Sequence, residues 1–266
     1  MNHNRNHINV VWFKRDLRLL DNEVIYNAIR SNKPTLLLYV FETSLENDPH
    51  YSARHWNFIK QSIVDINKQL AAFDTKILSV SGEVIAAFNS IQENYRIDTV
   101  YSHQETGLKI TYERDKSFKR FCKNNRIEWI ENVNNGIFRA LKNRSNWVEK
   151  WENYMNAPQF TFNPTAENFM NTDAILELEN GLEKTNLDTI PDTVFQKGGF
   201  TMAGKYLDSF FNERYHGYGS NISKPLLARK SCSRLSPYIA WGNLSSRQVL
   251  KKAATFRLTC TDKKQI

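Results

Sequence analysis

A cluster of hydroxyl, thiol and guanidinium side chains precedes a helix start in the C-terminal third of the chain. The cluster comprises Ser231, Cys232, Ser233 and Arg234, and Ser236 and Pro237 follow it as the predicted N-cap and first helical residue. Free backbone N–H groups and the positive end of a helix dipole suit this position to a phosphate group. On spacing alone, residues 231–247 are interpreted more simply as two capped helices joined by a Trp-Gly-Asn turn, with Ser245 capping the second.

Three cationic side chains follow the first predicted strand, within the run Lys14-Arg15-Asp16-Leu17-Arg18. Ligands of open parallel sheets bind beyond the carboxyl ends of the strands, so these cations could hold an anionic or polar ligand. Alternatively, Asp16 and Asp21 pair with the cations and fix the turn. The glycine-rich fingerprint of dinucleotide-binding folds does not follow this strand.

No other group of residues in the sequence indicates a catalytic or metal site. The six histidines show no helical His-Glu-x-x-His pattern, and no nucleophile elbow stands out. Cys122, Cys232 and Cys260 are widely spaced, which argues against a disulfide framework and against a cysteine-based zinc site. The aromatic side chains of Tyr238 and Trp241 are interpreted as core residues.

Short apolar runs alternate with amphipathic helical patterns over the first half of the chain. The runs are often β-branched and bounded by polar turns, as buried parallel strands are, and they cover residues 8–13, 35–41, 76–80, 99–102 and 127–130. Between them, apolar residues recur at helical spacing over residues 56–73 and 84–91. The alternation predicts an α/β fold with a doubly wound parallel sheet of five strands.

The chain divides into three predicted parts. Residues 1–131 form the α/β domain. Residues 132–196 break the alternation and are interpreted as an inter-domain connector with short helices, because a structureless loop of that length is uncommon. From Gly198 onward the pattern is purely helical, so residues 197–266 are predicted to be the beginning of an all-helical domain.

The net charge of +8 is unevenly distributed. Residues 193–266 contain 13 lysines and arginines and three acidic residues. Residues 166–192, the acidic stretch, contain one lysine and seven acidic residues. A basic region beside a nearly neutral one is expected of a protein that binds a nucleic-acid backbone, although a solvated helical surface has the same composition. The longest apolar run is too short to cross a membrane, and the N-terminus lacks a signal-peptide core. We therefore expect a cytoplasmic, monomeric protein with no membrane partner.

Two motifs, more than 200 residues apart, resemble the DNA photolyase and cryptochrome family. Ser-Arg-Leu-Ser-Pro-Tyr at 233–238, followed by Trp-Gly-Asn-Leu-Ser-x-Arg-Gln at 241–248, resembles the FAD-phosphate motif of that family. Residues 11–18, with Asp21-Asn22 after them, resemble its opening strand and turn. Gly198-Gly199-Phe200 is a third, weaker match.

The resemblance implies an FAD site in the C-terminal part. Tyr218 aligns with a flavin-contacting tyrosine placed shortly before a proline, and the residues that align with the FAD-diphosphate run are Cys232, Ser233, Arg234, Leu235 and Ser236. Many relatives have threonine in place of Cys232, which weakens a side-chain hydrogen bond but leaves a backbone contact intact. For the first domain, the resemblance implies an antenna chromophore, which is a folate or a deazaflavin. Glu113 is the one residue that the resemblance assigns to this chromophore. The alternative is an empty antenna site.

The activity that the resemblance implies is that of a blue-light-dependent FAD flavoprotein, a DNA photolyase that splits pyrimidine dimers by electron transfer from reduced flavin. Two alternatives stay open: a cryptochrome-type photoreceptor without repair activity, and an α/β module without a cofactor. DNA is the implied partner of the repair enzyme. No catalytic residue is assigned, because the residues that separate repair from signalling in the family lie mostly beyond Ile266. The chain is accordingly expected to be a fragment or a truncated gene product, and to bind FAD weakly or not at all by itself.

Overall fold

In a computed structural model that describes residues 5–161 and 163–260, five strands form one parallel sheet in the order β3-β2-β1-β4-β5. The strands are β1 (His7–Phe13), β2 (Thr35–Phe41), β3 (Leu78–Ser81), β4 (Arg96–His103) and β5 (Glu128–Asn132). Every pair of neighbouring strands is parallel. The predicted doubly wound sheet is therefore confirmed.

Helices connect the strands and then continue without further strands in the described part of the chain. Those around the sheet are α1 (Glu23–Ile29), α2 (Thr43–Glu46), α3 (Ala53–Leu70), α4 (Val84–Asn94) and α5 (Lys109–Asn125). The later ones are α6 (Trp147–Asn156), α7 (Thr172–Glu179), α8 (Phe200–Asn212), α9 (Tyr218–Asn221), α10 (Pro225–Ser231), α11 (Ser236–Ala240) and α12 (Ser246–Thr259). Among the residues described, no helix combines the length and apolar character needed to cross a membrane.

The two faces of the sheet carry separate cores because successive side chains of a strand point to opposite faces. Val11 and Phe13 of β1 belong to one core, which continues into α1, α3, α8 and α11. Val10 and Trp12 belong to the other core, which is closed by α4, α5 and α7. The central strand is thus covered on both sides, as a parallel sheet requires.

Strand β3 begins two residues later than the sequence predicts. The backbone N–H of Ile77 donates to Asn67 Oδ1 of α3 at 2.8 Å, so this residue is held by a helix side chain rather than by a neighbouring strand. Residues 183–185 cover the outer edge of β3. Ser81 N–H donates to Glu183 O at 2.7 Å, and Thr185 N–H donates to Ser79 O at 3.2 Å. An edge paired in this way is protected against pairing with another chain.

The Gly198-Gly199 pair allows the start of α8 to lie directly on α3. A Cβ at Gly198 would sit 2.1 Å from Phe58 O, and Gly199 has a φ of +111° and would meet Asp65 at 2.9 Å. Asp65 in turn accepts from the N–H of Thr201 at 2.9 Å. The helical part of the chain is therefore anchored to the α/β part. The three predicted domain ranges stay a prediction, and their terminal residues 1–4 and 261–266 lie outside the described residues.

Candidate functional site

The turn after β1 and the segment 241–247 are in direct contact, although more than 220 residues separate them. Leu17 N–H donates to Trp241 O at 3.1 Å, and Asn243 Nδ2 donates to Leu17 O at 2.9 Å. Arg18 Nη1 donates to Gly242 O at 3.1 Å. The two motifs noticed in the sequence are thus the two sides of one interface.

Gly242 makes this contact sterically feasible. Its φ is +74°, and a Cβ built on it would lie 2.3 Å from Arg15 O and 2.4 Å from Asp16 Cα. A side chain at this position would therefore collide with backbone atoms and would also have to adopt the left-handed conformation that glycine tolerates best.

Asp21 forms a buried ion pair with Arg247 at the same interface. Arg247 Nη2 and Nε donate to the two carboxylate oxygens at 2.5 and 3.1 Å, and Ser245 Oγ donates to Asp21 Oδ2 at 2.5 Å. Ser245 also caps α12 by accepting from Gln248 N–H at 3.0 Å, as the sequence predicts. Residues 241–247 thus attach the helical segment to the first domain.

A crevice lies beyond the carboxyl ends of β1, β2 and β4, where the strand order reverses and α/β folds commonly bind ligands. We call it the sheet-end crevice. Its charged side chains are Lys14, Arg15, Glu42, Glu105 and Arg114. Arg114 donates to Glu42 and to Glu105 at 2.6 Å each, and Arg15 donates to Glu105 at 3.1 Å.

The predicted pairing of the turn cations with Asp16 and Asp21 is wrong for Lys14 and Arg15, whereas the buried Arg18 is attracted by the charges of both aspartates. Arg15 pairs with Glu105, and the Nζ atom of Lys14 lies 3.5 Å from Asp115. Asp16 instead lies 2.6 Å from Nδ1 of the buried His103. The reason is tertiary: the ends of β2 and β4 and the helix α5 bring carboxylates to the turn that no local pattern reveals.

The sheet-end crevice is filled by the chain's own side chains. The remaining cavity is about 20 Å³, which is room for a single water molecule. Tyr51, Trp56 and Trp241 line it, and the Arg15 guanidinium lies 4.7 Å from the Trp241 ring centre. In this arrangement the crevice does not fit a folate or a deazaflavin.

Burial dominates the electrostatics of the sheet-end crevice. Loss of hydration raises the pKa of Glu42 to about 7, although Arg114 donates to its Oε1. Burial likewise lowers the pKa of Lys14. Glu113, the residue carried over to an antenna site, lies on the exposed side of α5 and pairs with Lys116 at 3.1 Å. Its assignment stays a prediction.

The loop of residues 232–236 connects α10 to α11 and has its carbonyl groups turned toward the protein. Cys232 O and Ser233 O accept from Arg214, and Arg234 O accepts from Gln196 Nε2 at 2.8 Å. The backbone N–H groups of residues 233–236 donate to no acceptor in the described part of the chain. The loop therefore offers consecutive hydrogen-bond donors, and this is the geometry that suits an oxyanion.

The interpretation of Ser236 as an N-cap is wrong. Arg234 adopts the left-handed conformation, with φ +55°, and Leu235 becomes the N-cap, so that Ser236 is the first residue of α11 and its side chain makes no capping bond. The helix is also only five residues long. The dipole of so short a helix contributes little to binding of an anion. The N–H donors of the loop itself are therefore the feature that suits an anion.

The other predicted residues lie around this loop. Leu235 and Tyr238 are buried, and Trp241 joins them in the core, as predicted. Tyr218 is exposed on α9, a helix that packs against α10. On one flank, Arg234 and Ser236 border an open groove of about 360 Å³.

Sequence reasoning missed Arg214 and Gln196, the two side chains that hold the loop. Neither belongs to a recognisable motif, and each lies more than 15 residues from the carbonyls it binds. No local pattern in the sequence could have identified them.

A family model described as DNA photolyase matches residues 9–146. The chain is 27% identical over 132 residues to the chloroplastic/mitochondrial cryptochrome DASH of Arabidopsis thaliana, a match that covers 46% of the chain and 23% of that protein. It is 21% identical over 264 residues to the deoxyribodipyrimidine photo-lyase of Vibrio cholerae, which covers 91% of the chain and 54% of that protein.

The fold is similar to a solved structure of an archaeal photolyase from Sulfolobus tokodaii with two FAD molecules. The TM-score is 0.65 at 18% identity, over 97% of the chain and 56% of the archaeal protein. The chain thus spans about half the length of the photolyases it matches.

Proposed function

The chain belongs to the DNA photolyase and cryptochrome family, and on that premise we propose that it is a blue-light flavoprotein whose loop 232–236 binds the diphosphate of FAD. The observation that carries the proposal is the orientation of this loop, in which the N–H groups of residues 233–236 find no acceptor among residues 5–161 and 163–260. A diphosphate needs several donors converging on its oxygens, and backbone N–H groups supply them without a charged side chain.

The residues of the loop fit the group. Ser233 and Ser236 add hydroxyl donors, and Arg234 adds a guanidinium that borders the open groove. Cys232 contributes a weaker side-chain donor than a threonine would, and its N–H is already bound to Ala228 O at 2.9 Å. We therefore assign the diphosphate chiefly to residues 233–236, and Tyr218 to contact with the flavin.

Repair of pyrimidine dimers in DNA is the activity that we propose for the protein, as a lyase. When bound, reduced FAD supplies the electron that splits the dimer, and this chemistry belongs to the flavin. The chain's own residues would bind the flavin and attract the DNA backbone. The positive balance of residues 193–266 supports the latter role. Lys224, the N-cap residue of α10, and Arg229 and Lys230 within that helix are exposed.

A photoreceptor role is the second candidate. The similarity to the Arabidopsis protein named cryptochrome DASH favours it. A photoreceptor would share the flavin loop and differ in the outcome of illumination.

The FAD assignment is tested by titrating the chain with FAD and following flavin fluorescence. Ser233→Asp places a carboxylate against the diphosphate and is expected to raise the Kd at least tenfold, which corresponds to about 1.4 kcal/mol. Ser223→Asp is the matched control, since Ser223 is exposed and lies outside the loop. Equal affinities for the two variants would contradict the assignment. Illumination with dimer-containing DNA then separates the candidates, because only the repair enzyme consumes the dimer.

A further inference from the structure

We propose that Arg214 is a positioning residue of the flavin site, which holds loop 232–236 so that its N–H groups face the ligand. The inference rests on the proposed FAD site and names the side chain that shapes it. Arg214 lies in the turn after α8, 18 and 19 residues before the two carbonyls that it binds in the loop.

The guanidinium of Arg214 bridges α8 and the loop. Its Nη1 donates to Cys232 O, and its Nη2 donates to Ser233 O at 3.2 Å. On the other side, Nη2 donates to Tyr206 O at 2.7 Å and Nε to Ser209 Oγ at 3.3 Å. A planar fork with several donors can hold two neighbouring carbonyls at once, which a lysine ammonium on a flexible stem cannot do in the same geometry.

The orientation of the N–H groups follows from that of the carbonyls. In a trans peptide, the C=O of one residue and the N–H of the next point in opposite directions within one plane. The carbonyls of Cys232 and Ser233 are held by Arg214, and that of Arg234 by Gln196, so the N–H groups of residues 233–235 point away from the protein. Leu235 O accepts from Ile239 N–H inside α11, which directs the N–H of Ser236 outward as well.

Arg214 also contributes charge beneath the loop. The partners named above are carbonyls and a hydroxyl, none of which carries a charge, and the adjacent Glu213 is the acidic residue that acts on its charge. The rings of Tyr206 and Phe210 lie 5.6 and 5.8 Å from the guanidinium carbon and keep its plane in place. A fixed cation directly behind a row of N–H donors favours binding of an anion.

The test compares Arg214→Met, Arg214→Lys and the control Arg120→Gln in the 266-residue chain. Arg120 is an exposed cation of α5, and its Nη2 donates to Ser117 Oγ of the same helix at 2.9 Å rather than to the loop. Two quantities are measured: the Kd of FAD and the rate at which iodoacetamide alkylates Cys232, followed by mass spectrometry of the peptide that contains it. The melting temperature reports the integrity of the fold.

Arg214→Met is expected to raise the Kd at least tenfold and to speed alkylation of Cys232 several-fold, because the loop loses its anchor. Arg214→Lys keeps the charge but not the fork, so it should resemble Arg214→Met in the alkylation rate. Arg120→Gln should leave both quantities unchanged.

The outcomes separate the two proposals. Unchanged alkylation of Cys232 in a folded Arg214→Met chain would overturn the positioning role, whatever the flavin does. An Arg214→Met chain that alkylates faster but binds FAD as the unmodified chain does would overturn the link between loop orientation and affinity. Absence of FAD binding by the unmodified chain would overturn the proposed function, while the alkylation rate would still decide what Arg214 does.

Discussion

Replacing Asp21 by Asn should destabilise the protein far more than the small change in size suggests. The Asp21 carboxylate accepts four hydrogen bonds: two from Arg247, one from Ser245 Oγ and one from Phe160 N–H at 3.1 Å. The Asp21 and Arg247 side chains are 1% and 4% exposed. Asn has the same shape as Asp, so the substitution creates no cavity and removes only charge and acceptor capacity.

The expected magnitude follows from the state of Arg247 after the substitution. Its guanidinium stays between the rings of Tyr154 and Phe160, 4.8 and 5.1 Å away, and has no route to water without opening the interface. Breaking a buried ion pair by removing one partner costs about 3–5 kcal/mol, because an uncompensated charge remains. The double variant Asp21→Asn/Arg247→Met removes that charge, so we expect it to be at least about 2 kcal/mol more stable than the sum of the single changes.

Urea denaturation of the unmodified chain, Asp21→Asn, Arg247→Met and the double variant measures this coupling. The midpoint should fall in Asp21→Asn and recover in part in the double variant, with similar slopes throughout. Asp173→Asn is a suitable control, since Asp173 is an exposed residue in the first turn of helix α7. A loss below about 1 kcal/mol for Asp21→Asn, or additive single effects, would refute the reasoning.

Two further predictions concern the same end of the sheet. Glu42 has a pKa raised to about 7 by burial, so the folded state keeps a proton that the unfolded state releases above about pH 4.5, and stability falls as pH rises between these values. Glu42→Gln should remove that decline and be up to about 3 kcal/mol more stable than the unmodified chain at pH 8, but not at pH 4.5. If the urea midpoints of Glu42→Gln and the unmodified chain differed equally at both pH values, this prediction would be contradicted. Gly242→Ala should cost about 3 kcal/mol or more, because its Cβ would lie 2.3 Å from Arg15 O at a positive φ. A melting temperature equal to that of Gly204→Ala, at a glycine with open space around it, would show that the interface tolerates the methyl group.

The sheet was predictable because its signal is local. Residues 35–41 are apolar without interruption, and β2 occupies them to the residue, buried along its whole length. The prediction for β3 was less accurate, since the side chain of Asn67 from α3 decides where the strand begins. The family was likewise predictable, because the residues of its motifs are contiguous, and the matched family model confirms it.

The site was only partly predictable because its parts meet through tertiary contacts. Residues 233–248 resemble a single FAD-phosphate motif, yet the structure divides this region into the 232–236 loop and a segment that packs on the β1 turn. Nothing local distinguishes the two halves. The same holds for Arg214, a single arginine in a turn, and for the carboxylates that neutralise Lys14 and Arg15.

The interface between the β1 turn and residues 241–247 also has a consequence for the order of folding. Its hydrogen bonds join residues 224 and 226 positions apart. At a synthesis rate of about 5–20 residues per second, the turn emerges from the ribosome roughly 10–45 s before its partner. The fifth strand ends at Asn132, so the sheet can assemble while Arg18 and Asp21 are still hydrated. Docking of the helical segment is then a late event, and variants of this interface should speed unfolding more than they slow refolding.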